Sequence, residues 1–189
     1  MILSLRKSMM GDPKVSVIIP CYNCRATLPR AIESALVQTY SNIELMVVDD
    51  ASTEDISEIV NKYSRVSYVR LEQNSGPAVA RNTGVARSSG DLIAFLDADD
   101  EWLPEHLDRQ VTWMRRFPEA GFSFCNALNR DTDGRSTNQF SRSRRAIALL
   151  ERQAVGDGVY LVRNNLASAI LLTNFIFTPS VVALSLIHI

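Results

Sequence analysis

The chain has 189 residues, 46% hydrophobic and 22% charged, with 20 Lys and Arg against 21 Asp and Glu. A chain of that length buries about 70% of its unfolded surface and suits one domain. The composition excludes a disordered, collagen-like or coiled-coil chain, and the cancelled charge excludes a generally basic nucleic-acid binder.

The N-terminal stretch before Val15 has too short an apolar run for a signal peptide, and its positive charges follow that run. Residues 1–13 are therefore expected to be a disordered lead-in. Val15 to Pro20 (VSVIIP) is a continuous β-branched run, as in a strand buried on both faces. Ala26 to Gln38 has helical spacing. Ile43 to Val48 reads as a second buried strand, Glu54 to Tyr63 as a helix, and Val66 to Leu71 as a third strand. Gly76 to Ser88 is helical and rich in small residues. Leu92 to Leu96 is a fourth strand, Pro104 to Phe117 a helix, and Ala120 to Cys125 a fifth strand. Strands and helices alternating in this way predict βαβ units, right-handed crossovers and a mostly parallel sheet with helices on both faces.

Beyond Asn126 the pattern weakens. Asn129 to Arg145 is polar and carries five arginines, Arg130, Arg135, Arg142, Arg144 and Arg145. It reads as a solvated loop or hairpin excursion, or as a basic lip facing an anionic acceptor or membrane surface. A helix is expected from about Ala146 to Gln153. Leu166 to Ile189 lacks any charged side chain, but Asn174, Thr178, Pro179 and three serines interrupt it. A helix end followed by a buried strand, Phe175 to Ala183, explains it better than a membrane span. Leu184 to Ile189 (LSLIHI) back-translates to the end of a transposase-based sequencing adapter. These six residues are read as a scar, which makes 14–183 an incomplete domain continuing past Ala183.

The chemistry gathers at strand ends. After the first strand come Pro20, Cys21, Tyr22 and Asn23. Tyr22 can offer an aromatic face to a base, and Asn23 can hold a turn through side-chain to backbone bonds. Cys21 and Cys24 form a C-x-x-C, either a redox pair or half a zinc site. Zinc would need two more ligands, with only Cys125 and His106 left to serve. An odd, small cysteine number fits a reducing compartment. After the second strand stand Asp49 and Asp50, whose mutual repulsion is expected to gain nothing for folding. Ser52 or Thr53 suits the cap of the next helix and Glu54 its first turn. After the fourth strand, Asp97, Asp99 and Asp100 are costly together unless a cation sits among them. In extended backbone Asp97 and Asp99 point the same way, and such oxygens suit Mg²⁺ or Mn²⁺ shared with substrate phosphates. The plainer reading makes Asp100 a helix cap. Gly76, Ala78, Ala80 and Gly84 are expected to let their helix pack closely on the sheet, and Arg81 can pair with a phosphate or an acid.

Taken in order, VSVIIPCYN, ELMVVDDASTED, NSGPAVARNTGVARSSGDLIAFLDADDEW and PEHLDRQV resemble the successive signatures of family 2 glycosyltransferases, with a looser match at NFIFTPSVVA. The resemblance implies a GT-A fold with a doubly wound, mostly parallel sheet. It implies that Pro20 and Tyr22, with Asn23 and Arg81, line a nucleotide pocket, and that Asp49 or Asp50 binds the base, usually uracil. Asp97 and Asp99 would be the D-x-D pair, with Asp99 the direct ligand of Mn²⁺ or Mg²⁺ and Asp97 nearer the ribose and the metal. It implies an inverting displacement from a nucleotide-sugar donor to a glycan or lipid-linked acceptor, in the cytoplasm or at the inner membrane face with peripheral membrane contact, and no nucleic-acid partner. The general base is expected beyond Ala183, so turnover by this stretch alone is not expected. A sugar-nucleotide pyrophosphorylase would carry a Gly-rich loop where PCYNCRATL has no glycine, and a dinucleotide binder would need G-x-G-x-x-G there. A binding module without catalysis is the non-enzyme alternative.

Overall fold

The structure, a computed structural model, describes residues 11–130, 133, 135–138, 143–156, 158–164, 166 and 181–184. The chain divides into two compact units, residues 1–123 with 181–189, and residues 124–180.

The larger unit is built on a sheet of six strands in the order β3-β2-β1-β4-β10-β5. These are β1 (Val15–Cys21), β2 (Ile43–Asp49), β3 (Val66–Arg70), β4 (Leu92–Phe95), β5 (Phe122–Phe124) and β10 (Val181–Leu184). β1 pairs in parallel with β2 and β4, β2 in parallel with β3, and β10 runs antiparallel to β4. The expected α/β architecture with a mostly parallel sheet is observed.

The alternation of β1 sorts its side chains onto two faces. Val15, Val17, Ile19 and Cys21 enter a large buried cluster with α1 (Leu28–Leu36), α2 (Ser57–Val60) and α4 (His106–Arg116). Helix α1 contributes Leu28, Ala31, Ile32 and Ala35, the i, i+3, i+4, i+7 stripe of a half-buried helix. Ile18 points to the other face, where it meets Met46, Val48, Val69, Ile93 and Ala80 of α3 (Pro77–Arg87). Helices therefore cover both faces, three on one and α3 on the other.

Helix α3 sits so close that a Cβ on Gly84 would lie 2.5 Å from the Ile18 Cγ2. The small-residue expectation thus holds at Gly84 and at buried Ala80. Ala78 is exposed, and Gly76 is needed for its positive φ of 88° instead, with open space where a Cβ would stand.

At the N-terminal end of the sheet a polar knot ties three segments. The Glu44 carboxylate accepts from Ser16 Oγ (2.5 Å), Ser89 N–H (2.6 Å) and Ser89 Oγ (2.7 Å), and pairs with Lys14 Nζ (2.7 Å). Burial opposes its charge, but the bonds from Lys14, Ser16 and Ser89 outweigh burial and hold the carboxyl down at about 2.

The second unit holds the hairpin of β6 (Leu128–Arg130) and β7 (Ser136–Asn138), helix α5 (Arg144–Ala148), and the hairpin of β8 (Glu151–Gly156) and β9 (Val159–Asn164). Ala146 and Leu150 pack with Phe124, Ile147, Val162 and Leu166. The expected polar excursion is thus partly a hairpin. Its arginines Arg135, Arg144 and Arg145 are exposed, and Arg142 lies outside the described residues.

Several expectations change. The helix expected over 146–153 is the short α5, because Glu151 to Gly156 pairs with β9. At the end of the expected lead-in, Tyr40 donates to the Pro13 carbonyl and Asn42 Nδ2 to that of Asp12; residues 1–10 lie outside the described residues. Residues 175–180 of the expected last strand lie outside the described residues, and Leu184, set aside as scar, pairs with Leu92. Among the described residues no helix is long and apolar enough to cross a membrane.

Two outcomes follow from these contacts. Gly84→Ala forces its Cβ into Ile18 and should cost about 1–3 kcal/mol by overpacking, read as a lower midpoint in urea with an unchanged slope. Because Glu44 titrates lower when folded than its ordinary 4.5, its stabilisation is present above pH 4.5 and lost as pH falls toward 2. Glu44→Gln should therefore be less stable than the parent at pH 7, with the gap closing on acidification.

Candidate functional site

The strand order reverses beside β1: the chain steps from β1 outward to β2 and β3, then crosses back so that β4 lies on the other flank of β1. In open α/β sheets ligands bind outside the carboxyl ends of the strands at such a reversal. A cleft of about 620 Å³ occupies that place, lined by residues including Pro20, Tyr22, Asn23, Asp50, Arg81, Asp97 and Asp99. Seven of the eight expected site residues thus share one cleft.

Asp49 is the exception, and the physics explains why. It is fully buried. Its Oδ1 accepts from Ser52 N–H (2.8 Å), and its Oδ2 from Tyr68 O–H and from Arg70 Nη1, both at 2.6 Å. Burial works against the charge, but the bonds from Ser52 and Tyr68 and the Arg70 guanidinium hold its carboxyl below the usual range. Asp50, 2% exposed, turns the other way. Its carboxylate accepts from the N–H groups of Ser75 (2.8 Å) and Gly76 (2.7 Å), the turn that enters α3. The idea that two adjacent acids gain nothing for folding is therefore corrected: each is satisfied by a different loop.

The first two βα loops are also sewn together. Asn23, in the left-handed region at φ 50°, accepts through Oδ1 from Thr53 N–H (2.8 Å) and Oγ1 (3.0 Å), and its own N–H donates to Ser52 Oγ (2.9 Å). Glu54 accepts from Arg25 N–H at 3.0 Å. Ser52, Thr53 and Glu54 thus serve the rim of the cleft and do not cap α2, where Asp55 accepts from Ser57 Oγ and Glu58 N–H. Tyr22 is left 49% exposed, an aromatic surface held on the cleft wall by tied neighbours.

On the opposite wall Arg81 Nη2 pairs with Asp97 Oδ1 at 2.5 Å. The Arg81 Nε–H is buried with no hydrogen-bond partner among the described residues. Beyond β4 the chain does not stay extended: the Asp97 carbonyl accepts from Asp100 N–H at 3.0 Å, closing a turn. Asp97 and Asp99 reach the cleft through that turn. Desolvation first, and then Asp99 and Asp97, push the Asp100 carboxyl up to about 6. Asp100 caps no helix, because α4 begins at His106 after Glu105. The following loop is anchored on α1 by Gln38, whose Nε2 donates to the carbonyls of Ser34 and Leu103 and whose Oε1 accepts from Leu107 N–H. Gln38 gave no motif in the sequence; a polar residue ending an apolar helical stripe was its one signal.

Cys21 and Cys24 are joined in a disulfide. Bonded sulfurs are not the thiolates a zinc site requires, and His106 stands on α4, stacked on Trp102 with ring centroids 4.6 Å apart. Burial pushes its imidazole down to about 4. Among the described residues no group of three or more His, Cys, Asp or Glu is arranged for a metal ion. The acids at the cleft fit a different donor set, in which one or two carboxylates and substrate phosphates share a hard cation.

Fold and crevice together define an α/β domain with a mostly parallel sheet and a cleft at the reversal of its strand order. Residues 16–165 match the family model described as glycosyl transferase family 2, and the chain belongs to that family. An uncharacterized glycosyltransferase of Rickettsia bellii is 46% identical over 114 residues, 59% of this chain and 16% of the relative. The UDP-Glc:alpha-D-GlcNAc-diphosphoundecaprenol beta-1,3-glucosyltransferase WfaP of Escherichia coli is 41% identical over 114 residues, 59% of this chain and 45% of WfaP. Among solved structures, S. aureus TarS 1-349 in complex with UDP is 30% identical with a TM-score of 0.54, covering 58% of this chain and 34% of that one. The mannosyltransferase PcManGT of Pyrobaculum calidifontis, in complex with GDP-Man and Mn²⁺, is 27% identical with a TM-score of 0.58, covering 62% and 36%. The chain spans less than half the length of each of these proteins.

Asp49→Ala leaves Tyr68, Ser52 and Arg70 without their acceptor. It should cost about 2–3 kcal/mol, seen as a lower thermal midpoint, whereas Tyr22→Ala, whose ring is half exposed, should leave that midpoint within about 1 °C.

Proposed function

We propose that the cleft binds a nucleotide-sugar donor, read as a UDP-sugar, and that the whole protein transfers the sugar to a cell-envelope glycan or lipid-linked acceptor with inversion at the anomeric carbon. The observation that carries this reading is the convergence of an exposed aromatic face, a buried carboxylate, an arginine and two further carboxylates on one crevice at the strand-order reversal. Tyr22 offers a surface for the base to stack on, and Asp50 stands beside it with acceptor capacity left over from its two amide bonds. Asp50 in place of Asp49 is the carboxylate assigned to the base, because Asp49 is fully engaged away from the cleft.

Arg81 is assigned to the diphosphate. Its buried, unpartnered Nε–H is a donor that a phosphate oxygen would satisfy, and its link to Asp97 fixes where the guanidinium stands. Asp97 and Asp99 are assigned to a divalent cation, with Asp99 the direct ligand; the Mn²⁺ in the PcManGT complex supports the assignment. When bound, Mn²⁺ or Mg²⁺ supplies charge neutralisation of the diphosphate leaving group. The chain's own residues stack the base, orient the diphosphate and hold the carboxylates ready.

Inverting transfer forms the bond from acceptor oxygen to anomeric carbon as the bond to the diphosphate breaks, and a general base takes the acceptor proton. We assign no residue of the cleft to that base. The UDP complex of TarS supports a uridine donor, and the name of WfaP supports a lipid-diphosphate acceptor.

Asp99→Ala should lose Mn²⁺-dependent UDP binding by at least about tenfold, the scale of one charge-assisted contact, with the far-UV circular dichroism unchanged. Undiminished binding by this variant in calorimetry would overturn the metal assignment.

A further inference from the structure

The cleft wall contains a group that the donor reading does not use. Cys21 is the last residue of β1 and 3% exposed, Cys24 is partly buried three residues on, and both line the cleft. Their disulfide encloses only Tyr22 and Asn23, the half-exposed aromatic and the left-handed residue that ties the rim to Ser52 and Thr53. Each cysteine is also anchored by its backbone. The Cys21 carbonyl accepts from Asp50 N–H at 2.8 Å, and the Cys24 carbonyl accepts from Thr27 and Leu28 N–H as the chain enters α1. The crosslink therefore links the end of the central strand to the start of a helix across the residue assigned to the base.

We propose that the Cys21–Cys24 pair is a thiol–disulfide exchange site whose redox state sets donor affinity, an inference that rests on the cleft being the donor site. The co-reactant is a dithiol reductant. Its thiolate attacks the Sγ of Cys24, the less buried of the two residues, breaking the Cys21–Cys24 bond and releasing Cys21 as thiolate. The reductant's second thiol then attacks the mixed disulfide and releases Cys24. Two electrons and two protons pass to the pair, and the dithiol leaves as a disulfide.

The consequence for function is preorganisation. With the bond closed, Tyr22 is confined to a two-residue bridge, and the base meets a rigid face. With it open, Tyr22 and Asn23 gain freedom that binding must remove, so affinity falls. Because both residues line the cleft, a bound nucleotide would cover the segment that carries the bond. Nucleotide should protect the disulfide, and by linkage oxidation should favour nucleotide.

The test uses the full chain, oxidised or reduced with dithiothreitol and then freed of it. UDP with Mn²⁺ is titrated into both forms, and the rate of reduction is followed with and without UDP by alkylation and mass spectrometry. Cys125, which lies outside the disulfide, reports general reactivity. The proposal expects UDP to bind the oxidised form about tenfold more tightly, to slow reduction of the pair by a similar factor, and to leave Cys125 alkylation unchanged. Cys24→Ser should bind UDP like the reduced form and not respond to dithiothreitol. Equal affinity in the two redox states, or reduction indifferent to UDP, overturns the switch while leaving the donor site standing. Absence of UDP binding in both states overturns the donor reading itself and the switch with it.

Discussion

A buried carboxylate must be met by donors or it costs more than a small domain can spare. Asp49 and Asp50 turn that requirement into architecture. They follow one another at the end of β2, so their side chains point apart, and each recruits a different part of the chain. Asp49 draws in Tyr68, Arg70 and Ser52, closing the β2–β3 side of the sheet. Asp50 draws in the Ser75 and Gly76 amides, fixing the entrance to α3 and hence the position of Arg81 one helical turn later. The wall that carries Arg81 and the wall that carries Tyr22 are positioned by neighbouring residues at the end of one strand.

The second constraint is topological. With β1 between β2 and β4, the loop after β1, the turn after β4 and the start of α3 border one cleft. Close packing keeps that geometry stiff: α3 presses on Ile18 through Gly84, and Gln38 pins the loop beyond the acidic turn to α1. Charges in the cleft are then held by a scaffold that cannot easily relax around them, which is the condition for electrostatic recognition of a diphosphate.

Much of this was legible in the sequence, for identifiable reasons. The strands β1, β2 and β4 are continuous apolar runs ended by polar residues, so their existence, order of burial and parallel pairing followed from pattern alone. That acids and Tyr22 would gather at the strand ends followed from the rule that α/β sheets bind at carboxyl ends, whereas the place of Arg81, on a helix, in the pocket came from the resemblance to the family. The division of labour between Asp49 and Asp50 did not follow, because it depends on which loops fold back over β2. The capping role given to Ser52 and Thr53 failed for the same reason: Asn23, thirty residues away, competes for them. The short α5 was over-extended because Glu151 to Gly156 finds a cross-strand partner that local spacing does not reveal.

The central claim is where the nucleotide sits. Hydrogen–deuterium exchange with and without UDP and Mn²⁺ tests it most directly. The account predicts slowed exchange at residues 21–24, 75–76 and 97–100, with the N-terminal knot of Glu44 and Ser89 unaffected. Slowing confined to other segments, or no slowing at these three loops at saturating UDP, would contradict it.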